Sequence, residues 1–328
     1  MPMPLTAMFT SAGAQAATDD SSNALPERIG DASGIDLHLH STASDGRLTP
    51  EALMQLCHRR ELHTVAVTDH DTVAGLDEAH QAAQRLNLTL LPGAELSCRW
   101  RGIGIHVVAL LPGAPGSVLE AGLAQLSEAR HQRAAVIAQR LERAGLDSAL
   151  ERAREQAGSD RPLGRPDFAR ALVEAGLVAD LPAAFKRYLG AGRPGDVKTH
   201  WPELADVVDW IVRDGGVAVL AHPLRYRLTR RKLTQLLDDF AAAGGEGAEL
   251  VSGYQNEQRT HDLAGLLERR GLYASLGSDF HYEGGALAPG TLGPLPASAV
   301  APIWQHPKLS DKLKQSAFES LPTTGSVS

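Results

Sequence analysis

Side chains that commonly bind metal ions lie at the ends of most apolar segments in this sequence. Two histidines at i, i+2 spacing occur in "DLHLH", and an aspartate and a histidine repeat that spacing in "GSDFH". The candidate ligands are His38, His40, Asp45, His70, Glu95, His106, His222, Asp279 and His281. Imidazoles and carboxylates suit Mn²⁺, Fe²⁺ or Zn²⁺, and the lack of thiolates disfavours a purely structural zinc site. The pattern therefore predicts a multinuclear metal centre.

Each candidate also has an ordinary structural explanation when it is taken alone. The HxH spacing only places both imidazoles on the same face of a strand. His70 could lie in a turn capped by Asp69 and Asp71, and a single histidine before proline, such as His222, is more often structural. Glu95 ends an apolar strand, where an unpaired carboxylate is costly unless a cation meets it. All of these explanations would have to hold together, so the joint pattern favours the metal centre.

The elements that must position these residues are short apolar runs that alternate with helical patterns. Apolar residues recur at helical spacing in 50–60 and 72–86, and Thr49 and Pro50 form the expected start of the first helix. Strands are predicted at 34–40, 63–70, 88–96, 103–111, 216–222, 247–251 and 272–281. This alternation predicts βα units and a parallel sheet, which is an α/β fold.

The candidate ligands follow the predicted strands in a regular way. In a parallel α/β barrel, the C-terminal ends of the strands meet on one face, where the site is built. Six of the predicted strands place ligands at or near this face. His106 instead lies within the fourth predicted strand, and Asp45 lies in the loop after the first. We therefore expect all nine groups to converge on one mouth of a barrel.

The chain divides into a barrel and a helical insertion. From about 113 to 199 the sequence has no convincing strand and begins with a long amphipathic pattern. The termini are rich in small and polar residues. We predict a disordered extension at 1–33, a catalytic barrel at 34–112 and 200–312, a helical insertion domain at 113–199 and a flexible tail at 313–328.

Composition excludes several classes of function. The 328 residues are 43% apolar and 22% charged, as in ordinary globular proteins. A net charge of −7 argues against a dedicated duplex-DNA or anionic-membrane binder, because such proteins usually present a basic surface. No apolar run approaches the length of a membrane span, and the N-terminus lacks a secretory signal pattern. The two cysteines, Cys57 and Cys98, form no recognisable metal or disulfide motif, which fits a cytoplasmic location.

The remaining histidines serve as controls for the metal prediction. They fall on predicted helices or loops away from the strand ends, and we expect most of them to be surface or structural residues. They are His58, His63, His80, His131, His200, His261 and His306.

The ordered motifs resemble those of the polymerase and histidinol phosphatase (PHP) family. The motifs are "DLHLHSTASDG", "VTDHDT", "GAELSC", "GIHVVALL", "AHP" and "GSDFH". The resemblance spans about 34–310 and fills all nine ligand positions of the family. The insertion, "FKRYL" and "LAHPLRY" further resemble the subgroup of ribonuclease AM and the 3',5'-nucleoside bisphosphate phosphatases. This resemblance implies a distorted (β/α)7 barrel with a helical insertion domain and two or three metal ions, usually manganese, with Zn²⁺, Fe²⁺ or Mg²⁺ as alternatives.

The resemblance also implies a role for each residue. One metal would be held by His38, His40, Glu95 and Asp279, a second by Glu95, His106 and His222, and a third by Asp45, His70 and His281. Arg225 would act in catalysis with Asp279 and His281 and would bind the scissile phosphate. Arg130 and Arg133 would bind a second phosphate on the substrate, although arginines at i, i+3 on a helix usually form a solvated face.

The implied activity is metal-dependent hydrolysis of a phosphoester. Substrates would be 3',5'-nucleoside bisphosphates or short 5'-phosphorylated RNA trimmed from the 5' end. Three positions depart from the subgroup: Asp167 replaces a histidine, Asp196 a tyrosine and Leu224 a glycine. The two aspartates are expected to make the substrate side more acidic. Alternatives are a histidinol-phosphatase-like small-molecule phosphatase and a non-catalytic PHP module associated with nucleic acid.

Overall fold

Seven strands form one sheet in which the spatial order follows the chain order. The computed structural model describes residues 25–158, 161–197, 200–311 and 313. The strands are β1 (Ile35–Leu39), β2 (Thr64–Val67), β3 (Thr89–Trp100), β4 (Ile103–Leu110), β5 (Val217–Leu220), β6 (Gly247–Ser252) and β7 (Tyr273–Gly277). Each predicted strand corresponds to one of these, and the third extends to Trp100. Their buried Val, Ile, Leu and Ala side chains form much of the barrel core.

The two edge strands approach each other, so the sheet nearly closes into a barrel. The backbone of β1 and the segment after β7 are joined by hydrogen bonds from Asp279 N to His38 O (2.9 Å) and from His40 N to Phe280 O (3.0 Å). With the helices outside, this is the distorted (β/α)7 barrel that the motifs implied. That prediction of the fold is confirmed.

The prediction of a parallel sheet is wrong for β4. This strand pairs antiparallel with both β3 and β5, whereas the other neighbours pair parallel. The reason is local: β3 and β4 are joined by a tight turn at Arg101 and Gly102, both with positive φ (49° and 78°). A turn of this length reverses the chain, whereas a parallel neighbour needs a crossover of a dozen or more residues. The middle of β4 therefore lies beside the C-terminal end of β5, where Val107 pairs with Leu220.

The helices that flank the barrel begin where the sequence provides caps. Thr49 Oγ1 accepts a hydrogen bond from Ala52 N (3.1 Å), and Pro50 is the first residue of its helix, as predicted. The second helix begins at Leu76 rather than at residue 72. The flanking helices are α1 (Pro50–Arg59), α2 (Leu76–Leu86), α7 (Leu204–Arg213), α8 (Arg230–Ala242) and α9 (Glu257–Glu268).

The segment between β4 and β5 is helical and has a core of its own. It contains α3 (Ser117–Glu142), α4 (Ala149–Ala157), α5 (Arg165–Glu174), α6 (Leu181–Ala184) and a π-helical turn at Phe185–Leu189. The first half of α3 packs into the barrel core through Leu119, Leu123 and Leu126. Its second half joins a separate apolar cluster with Phe168 and Leu172. These two cores support the proposed division of the chain at about residues 113–199.

The N-terminal segment packs on the barrel further upstream than expected. Ile29 is fully buried in the barrel core. The Trp304 indole donates a hydrogen bond to Pro26 O (2.7 Å), and Gln305 Nε2 donates one to Glu27 O (2.8 Å). The prediction of disorder through residue 33 is therefore wrong for 25–33, because these residues bury apolar surface against the C-terminal segment. Residues 1–24 and most of the predicted tail at 313–328 lie outside the described residues.

Among the described helices, none combines the length and the apolarity that a membrane span would need.

Candidate metal centre

All nine candidate ligands lie at one end of the barrel, where the parallel strands end. Their side chains come from β1 and its loop, from the segments after β2, β5 and β7, and from within β3 and β4. His106 reaches this mouth because β4 runs antiparallel: it pairs with Ser97, and its carbonyl oxygen accepts a hydrogen bond from Ala221 N (3.1 Å). The sequence placed His106 correctly at the mouth but assigned its strand the wrong direction.

The first group of ligands surrounds the histidine pair of β1. His40 Nε2 lies 3.1 Å from His38 Nε2 and 3.1 Å from Asp279 Oδ1. Glu95 Oε2 lies 3.2 Å from His38 Nε2 and 3.3 Å from His40 Nε2. Gly277 permits this proximity, because a Cβ added there would clash with His38. These four residues can bind one metal ion with nitrogen and oxygen ligands.

Glu95 is the residue that joins the parts of the centre. Its side chain is almost completely buried, and each of its carboxylate oxygens faces imidazole nitrogens. Oε1 lies 2.9 Å from His106 Nδ1 and 2.8 Å from His222 Nε2, and Oε2 lies 3.0 Å from His70 Nδ1. With His38 and His40, five histidines therefore contact one carboxylate. A carboxylate in this position can bridge two metal ions.

A further group lies around Asp45 in the loop after β1. Asp45 Oδ1 is 3.3 Å from His281 Nε2 and 4.0 Å from His40 Nδ1, and Oδ2 is 3.9 Å from His70 Nε2. The His40 and His281 rings stack with their centroids 4.1 Å apart. This arrangement agrees with the implied third site, to which the geometry adds His40. The implied second site differs more: the compact group there is His70, Glu95 and His106, while His222 meets Glu95 from another side.

Several buried polar atoms in the centre have no hydrogen-bond partner in the described structure. They are His40 Nδ1, Asp45 Oδ1, His70 Nδ1, Glu95 Oε2 and His222 Nδ1. Buried polar groups are normally hydrogen-bonded, because leaving one unpaired costs about 1–3 kcal/mol. Five of them in one cluster, all imidazole or carboxylate atoms, fit a set of metal ligands.

Electrostatics in the cluster favour charged carboxylates. Burial disfavours ionisation of Glu95, but the charges of His70 and His106 outweigh it and hold the pKa of Glu95 well below its usual value. Burial lowers the pKa of His40, whereas the nearby carboxylates of Asp279 and Glu95 raise it, with a net pKa of about 10. Binding of a metal ion by His40 would therefore displace a proton.

The backbone around the ligands adopts conformations that side-chain-bearing residues rarely use. Asp71, His222 and Asp279 have φ angles of 56°, 31° and 56°. Such conformations cost on the order of 1–3 kcal/mol and persist only where the surroundings impose them. They turn the chain at the ends of three strands and direct the ligands into the mouth.

One buried carboxylate that sequence reasoning missed supports ligands on two strands. Glu249, in the middle of β6, is 2% exposed. Its Oε1 lies 2.5 Å from His38 Nδ1, and its Oε2 accepts a hydrogen bond from His222 N (2.6 Å). Such a carboxylate orients the imidazole so that its other nitrogen faces the metal. The sequence did contain a signal for Glu249, because it is an acidic residue within the apolar run "GAELV". As for Glu95, a carboxylate in an apolar strand is costly unless it has a partner.

Two aspartates that flank His70 hold the surrounding loops. Asp69 accepts hydrogen bonds from Ser41 N (2.7 Å), Ser41 Oγ (2.6 Å) and Ser44 Oγ (2.5 Å), which positions the loop carrying Asp45. Asp71 accepts one from Ser97 N (2.6 Å). These aspartates do more than cap a turn: they connect the loops after β1 and β2, and the loop after β2 with β3.

The arginines implied by the resemblance lie beside the centre. Arg225 forms an ion pair with Asp279 and stays partly exposed. Arg130 Nε donates to Asp71 Oδ2 (2.5 Å), and Arg133 Nε donates to Val197 O (2.7 Å). Both insertion arginines are buried, at 8% and 5% exposure, so they do not form a solvated helix face.

The insertion arginines belong to a cationic cluster. Burial, together with the neighbouring charges of Arg165 and Arg130, lowers the pKa of Arg133 to about 9. The guanidinium carbons of Arg130 and Arg133 also lie 5.5 Å and 5.2 Å from the centroid of the Trp201 ring. Clustered guanidinium groups repel one another, so an anion between them would relieve this repulsion.

The expectation of a more acidic substrate side is wrong for Asp167. This residue is fully buried and pairs with Arg161 (2.7 Å) and with Arg170. It also accepts a hydrogen bond from Gly164 N (2.7 Å), so its charge is neutralised inside the insertion. Asp196 accepts a hydrogen bond from Gly192 N (2.8 Å) and acts electrostatically on Arg133. Leu224 is buried in the barrel core.

Two clefts open beside the centre, between the mouth and the insertion. The smaller, about 240 Å³, is lined by Asp45, His70, Arg130 and Arg161 among others. The larger, about 890 Å³, lies next to Asp45, Asp279 and His281. It is also lined by Arg47, Arg170, Arg225, Phe185 and Tyr282. The control histidines stay outside this region. His306, for example, pairs with Glu246 before the start of β6, at the other end of the barrel.

The site and the fold together define a metal-binding α/β barrel, and known proteins share this arrangement. The PHP domain family matches residues 36–156. The chain is 41% identical over 273 residues to the 3',5'-nucleoside bisphosphate phosphatase of Chromobacterium violaceum, covering 83% of this chain and 95% of that protein. It is 40% identical over 277 residues to the 5'-3' exoribonuclease Rnm of Escherichia coli, covering 83% and 94%.

A solved structure agrees with these relatives. It is that of a Bifidobacterium adolescentis protein proposed to be a metal-dependent phosphoesterase. It matches with a TM-score of 0.73 and 27% identity, over 89% of this chain and 98% of that one. This chain belongs to the PHP family, so the resemblance inferred from the motifs is confirmed.

Proposed function

We propose that the chain is a metal-dependent phosphoesterase that hydrolyses the 3'-phosphoester of 5'-phosphorylated nucleotides. Its substrates would be 3',5'-nucleoside bisphosphates, short 5'-phosphorylated RNA cut from the 5' end, or both. One observation carries the proposal: a largely buried cluster of nine imidazole and carboxylate side chains lies beside buried arginines of the insertion. The named activities of the two curated relatives support the same substrate class.

The nine ligands are proposed to hold two or three divalent ions, with Mn²⁺ as the first candidate and Zn²⁺, Fe²⁺ or Mg²⁺ as alternatives. Bound ions would supply Lewis-acid stabilisation of the phosphate and activation of water. The protein would orient the phosphate. Arg225, held by Asp279, is partly exposed and can bind a nonbridging oxygen. We assign catalytic roles to Arg225, Asp279 and His281.

Arg130 and Arg133 are proposed to bind the 5'-phosphate of the substrate. Their burial and the repulsion among them, which Asp71 and Asp196 offset only in part, support an anion site. Arg130 also bonds Asp71 next to His70, so its loss would disturb the metal centre. Arg133 has no such contact with the ligand loops in the described structure, which makes it the cleaner position for a test.

The experiment compares phosphate release from 3'-phosphoadenosine 5'-phosphate, adenosine 3'-phosphate and histidinol phosphate in Mn²⁺. We expect the bisphosphate to be preferred, and Arg133→Ala to lower kcat/KM for it by about 10- to 100-fold relative to adenosine 3'-phosphate. Arg143→Ala, exposed beyond the same helix, is the matched control. Unchanged discrimination in Arg133→Ala would show that this arginine does not read the 5'-phosphate.

Two further outcomes identify the alternatives. Preference for histidinol phosphate would favour a small-molecule phosphatase. No turnover of any phosphoester by metal-loaded protein would favour a non-catalytic module. No partner among duplex DNA or membranes is proposed. The cytoplasmic location proposed from the sequence is supported by Cys57 and Cys98, both of which are buried free thiols.

A further inference from the structure

The described part of the chain exposes two large hydrophobic side chains, and both lie at the mouth of the barrel. Tyr254, 66% exposed, follows β6 by two residues, and Tyr282, 48% exposed, directly follows the ligand His281. Isolated exposed aromatics are common on protein surfaces and need no explanation by themselves. The position of these two is informative, because Tyr282 directly follows a candidate ligand and Tyr254 lies in the neighbouring loop after β6.

The two tyrosines belong to one continuous rim. Arg225 Nη2 donates to Ser252 O (3.4 Å), two residues before Tyr254, and thereby joins the loops after β5 and β6. Leu287 joins the loops after β6 and β7. A Cβ added to Gly253 would meet its side chain at 2.8 Å, and Leu287 lines the larger cleft together with Tyr282. We call Arg225, Tyr254 and Tyr282 the rim.

On the side of the mouth away from the tyrosines, the insertion leaves less space. There the insertion contacts the barrel through Arg130, which bonds Asp71 after β2 and lies 3.4 Å from Ser97 Oγ. The cleft left on that side has a volume of only about 240 Å³. With the 5'-phosphate among the insertion arginines, the larger cleft, about 890 Å³ and lined by Arg225 and Tyr282, offers the wider path for nucleotides beyond the scissile phosphate.

We propose that Tyr254 and Tyr282 form a stacking site for the nucleobases that follow the scissile phosphate in a single-stranded oligoribonucleotide. This inference rests on the proposed function and specifies its substrate class as oligoribonucleotides rather than mononucleotide bisphosphates alone. Aromatic side chains stack on any base, and nearby cations contact the phosphates. Arg47 and Arg225 supply cations in the cleft beside Tyr282, and Glu283 is an acidic residue of the same cleft besides the candidate ligands Asp45 and Asp279.

The test measures kcat/KM for a series of 5'-phosphorylated oligoribonucleotides of two to six residues against 3'-phosphoadenosine 5'-phosphate. In the wild type, kcat/KM is expected to rise with length until the rim is filled. Tyr254→Ala should lower kcat/KM for the longer oligonucleotides by about tenfold relative to the bisphosphate, the effect of one lost stacking contact. Tyr282→Ala should lower kcat/KM even for the shortest oligonucleotide, because Tyr282 lies next to the candidate ligand His281.

Two controls separate stacking from structural damage. Tyr254→Phe keeps the ring and should retain the length dependence. Tyr273→Phe alters a tyrosine at the start of β7, at the other end of the barrel, and should behave like the wild type. Equal losses on oligonucleotides and bisphosphate, or no loss in Tyr254→Ala, would overturn the proposal.

Binding distinguishes this proposal from the proposed function. Fluorescence anisotropy of a 3'-labelled, 5'-phosphorylated hexaribonucleotide with non-hydrolysable linkages, recorded with the metal-loaded protein, reports binding at the rim without turnover. Weaker binding by Tyr254→Ala than by Tyr254→Phe supports the stacking site even if no phosphoester is hydrolysed, in which case only the proposed function fails. Equal binding by both variants rejects the stacking site even if the enzyme is active.

Discussion

The two ends of the barrel differ in whether their charged side chains find partners within the protein. At the end where β5, β6 and β7 begin, Lys308 Nζ donates to Gly216 O (3.2 Å) and to both carboxylate oxygens of Glu246 (3.1 and 3.0 Å). His306 contacts the same carboxylate at 3.3 Å. Lys308, Glu246 and His306 thus have their partners within the protein. At the mouth, Glu95 contacts five histidines, yet Oε2 has no hydrogen-bond partner.

This difference separates groups that serve stability from groups that serve a ligand. The end at which β5, β6 and β7 begin, which we call the closed end, holds the C-terminal segment to the strands through the ion pair between Lys308 and Glu246. The mouth combines unpaired polar atoms with left-handed backbone at His222 and Asp279, features that cost stability. We infer that metal ions pair with the polar groups of the mouth, whereas the charged groups of the other end pair with one another. Variants at the mouth should therefore change metal binding and activity, and variants at the other end should change stability alone.

The largest effect is expected from Glu95→Gln. Glutamine keeps the shape but removes the charge that faces five histidines, so metal ions would lose a bridging ligand. We expect kcat/KM for phosphoester hydrolysis to fall by at least about a thousandfold, since metal ions contribute several kcal/mol of charge stabilisation. Metal content, measured by elemental analysis after gel filtration, should fall in parallel. Activity and metal content close to wild type would contradict the role of Glu95 as the central ligand.

A smaller loss is expected from Glu249→Gln, which tests support for the ligands without removing one. Glu249 contacts His38 Nδ1 and His222 N, so the amide can replace one of its two contacts but not both. We expect metal affinity, measured by calorimetric titration of metal-free protein, to fall by about 10- to 100-fold. The matched control is Glu246→Gln, three residues earlier and directed to the closed end, which should leave metal affinity unchanged. If both variants behaved alike, the contrast between the ends would be lost.

Much of the barrel and of the ligand cluster was predictable from local patterns. Short apolar runs that end in histidine or carboxylate identify both the strands and the face on which their ends meet. The i, i+2 spacing of His38 with His40 and of Asp279 with His281 placed each pair on one side of the backbone. His222 was ambiguous alone and became informative only as part of the set. These inferences needed only the periodicity of apolar residues and the positions of the candidate ligands along the chain, which are local properties of the sequence.

The remainder depended on a short turn and on long-range contacts, neither of which strand or helix periodicity encodes. Strand periodicity is the same in both directions, so the reversal of β4 could be read only from the short turn at Arg101 and Gly102. Arg130 resembled a solvated helical arginine until the fold placed it against Asp71. Ile29 lies in a stretch rich in small and polar residues, yet it is buried in the barrel core, and Trp304 and Gln305 bond the backbone just before it.

The smallest effect is expected at the closed end, from Lys308→Met. The lysine is partly exposed and its ion pair with Glu246 is therefore screened, so its loss should lower the free energy of unfolding by less than about 1 kcal/mol. Thermal unfolding should shift downward by a few degrees at most, in metal-free and metal-loaded protein alike, while metal affinity and kcat/KM stay at wild-type values. A metal-dependent change in this variant would mean that the two ends are coupled through the strands. In that case the internal ion pair at the closed end would contribute to the geometry of the mouth as well as to stability.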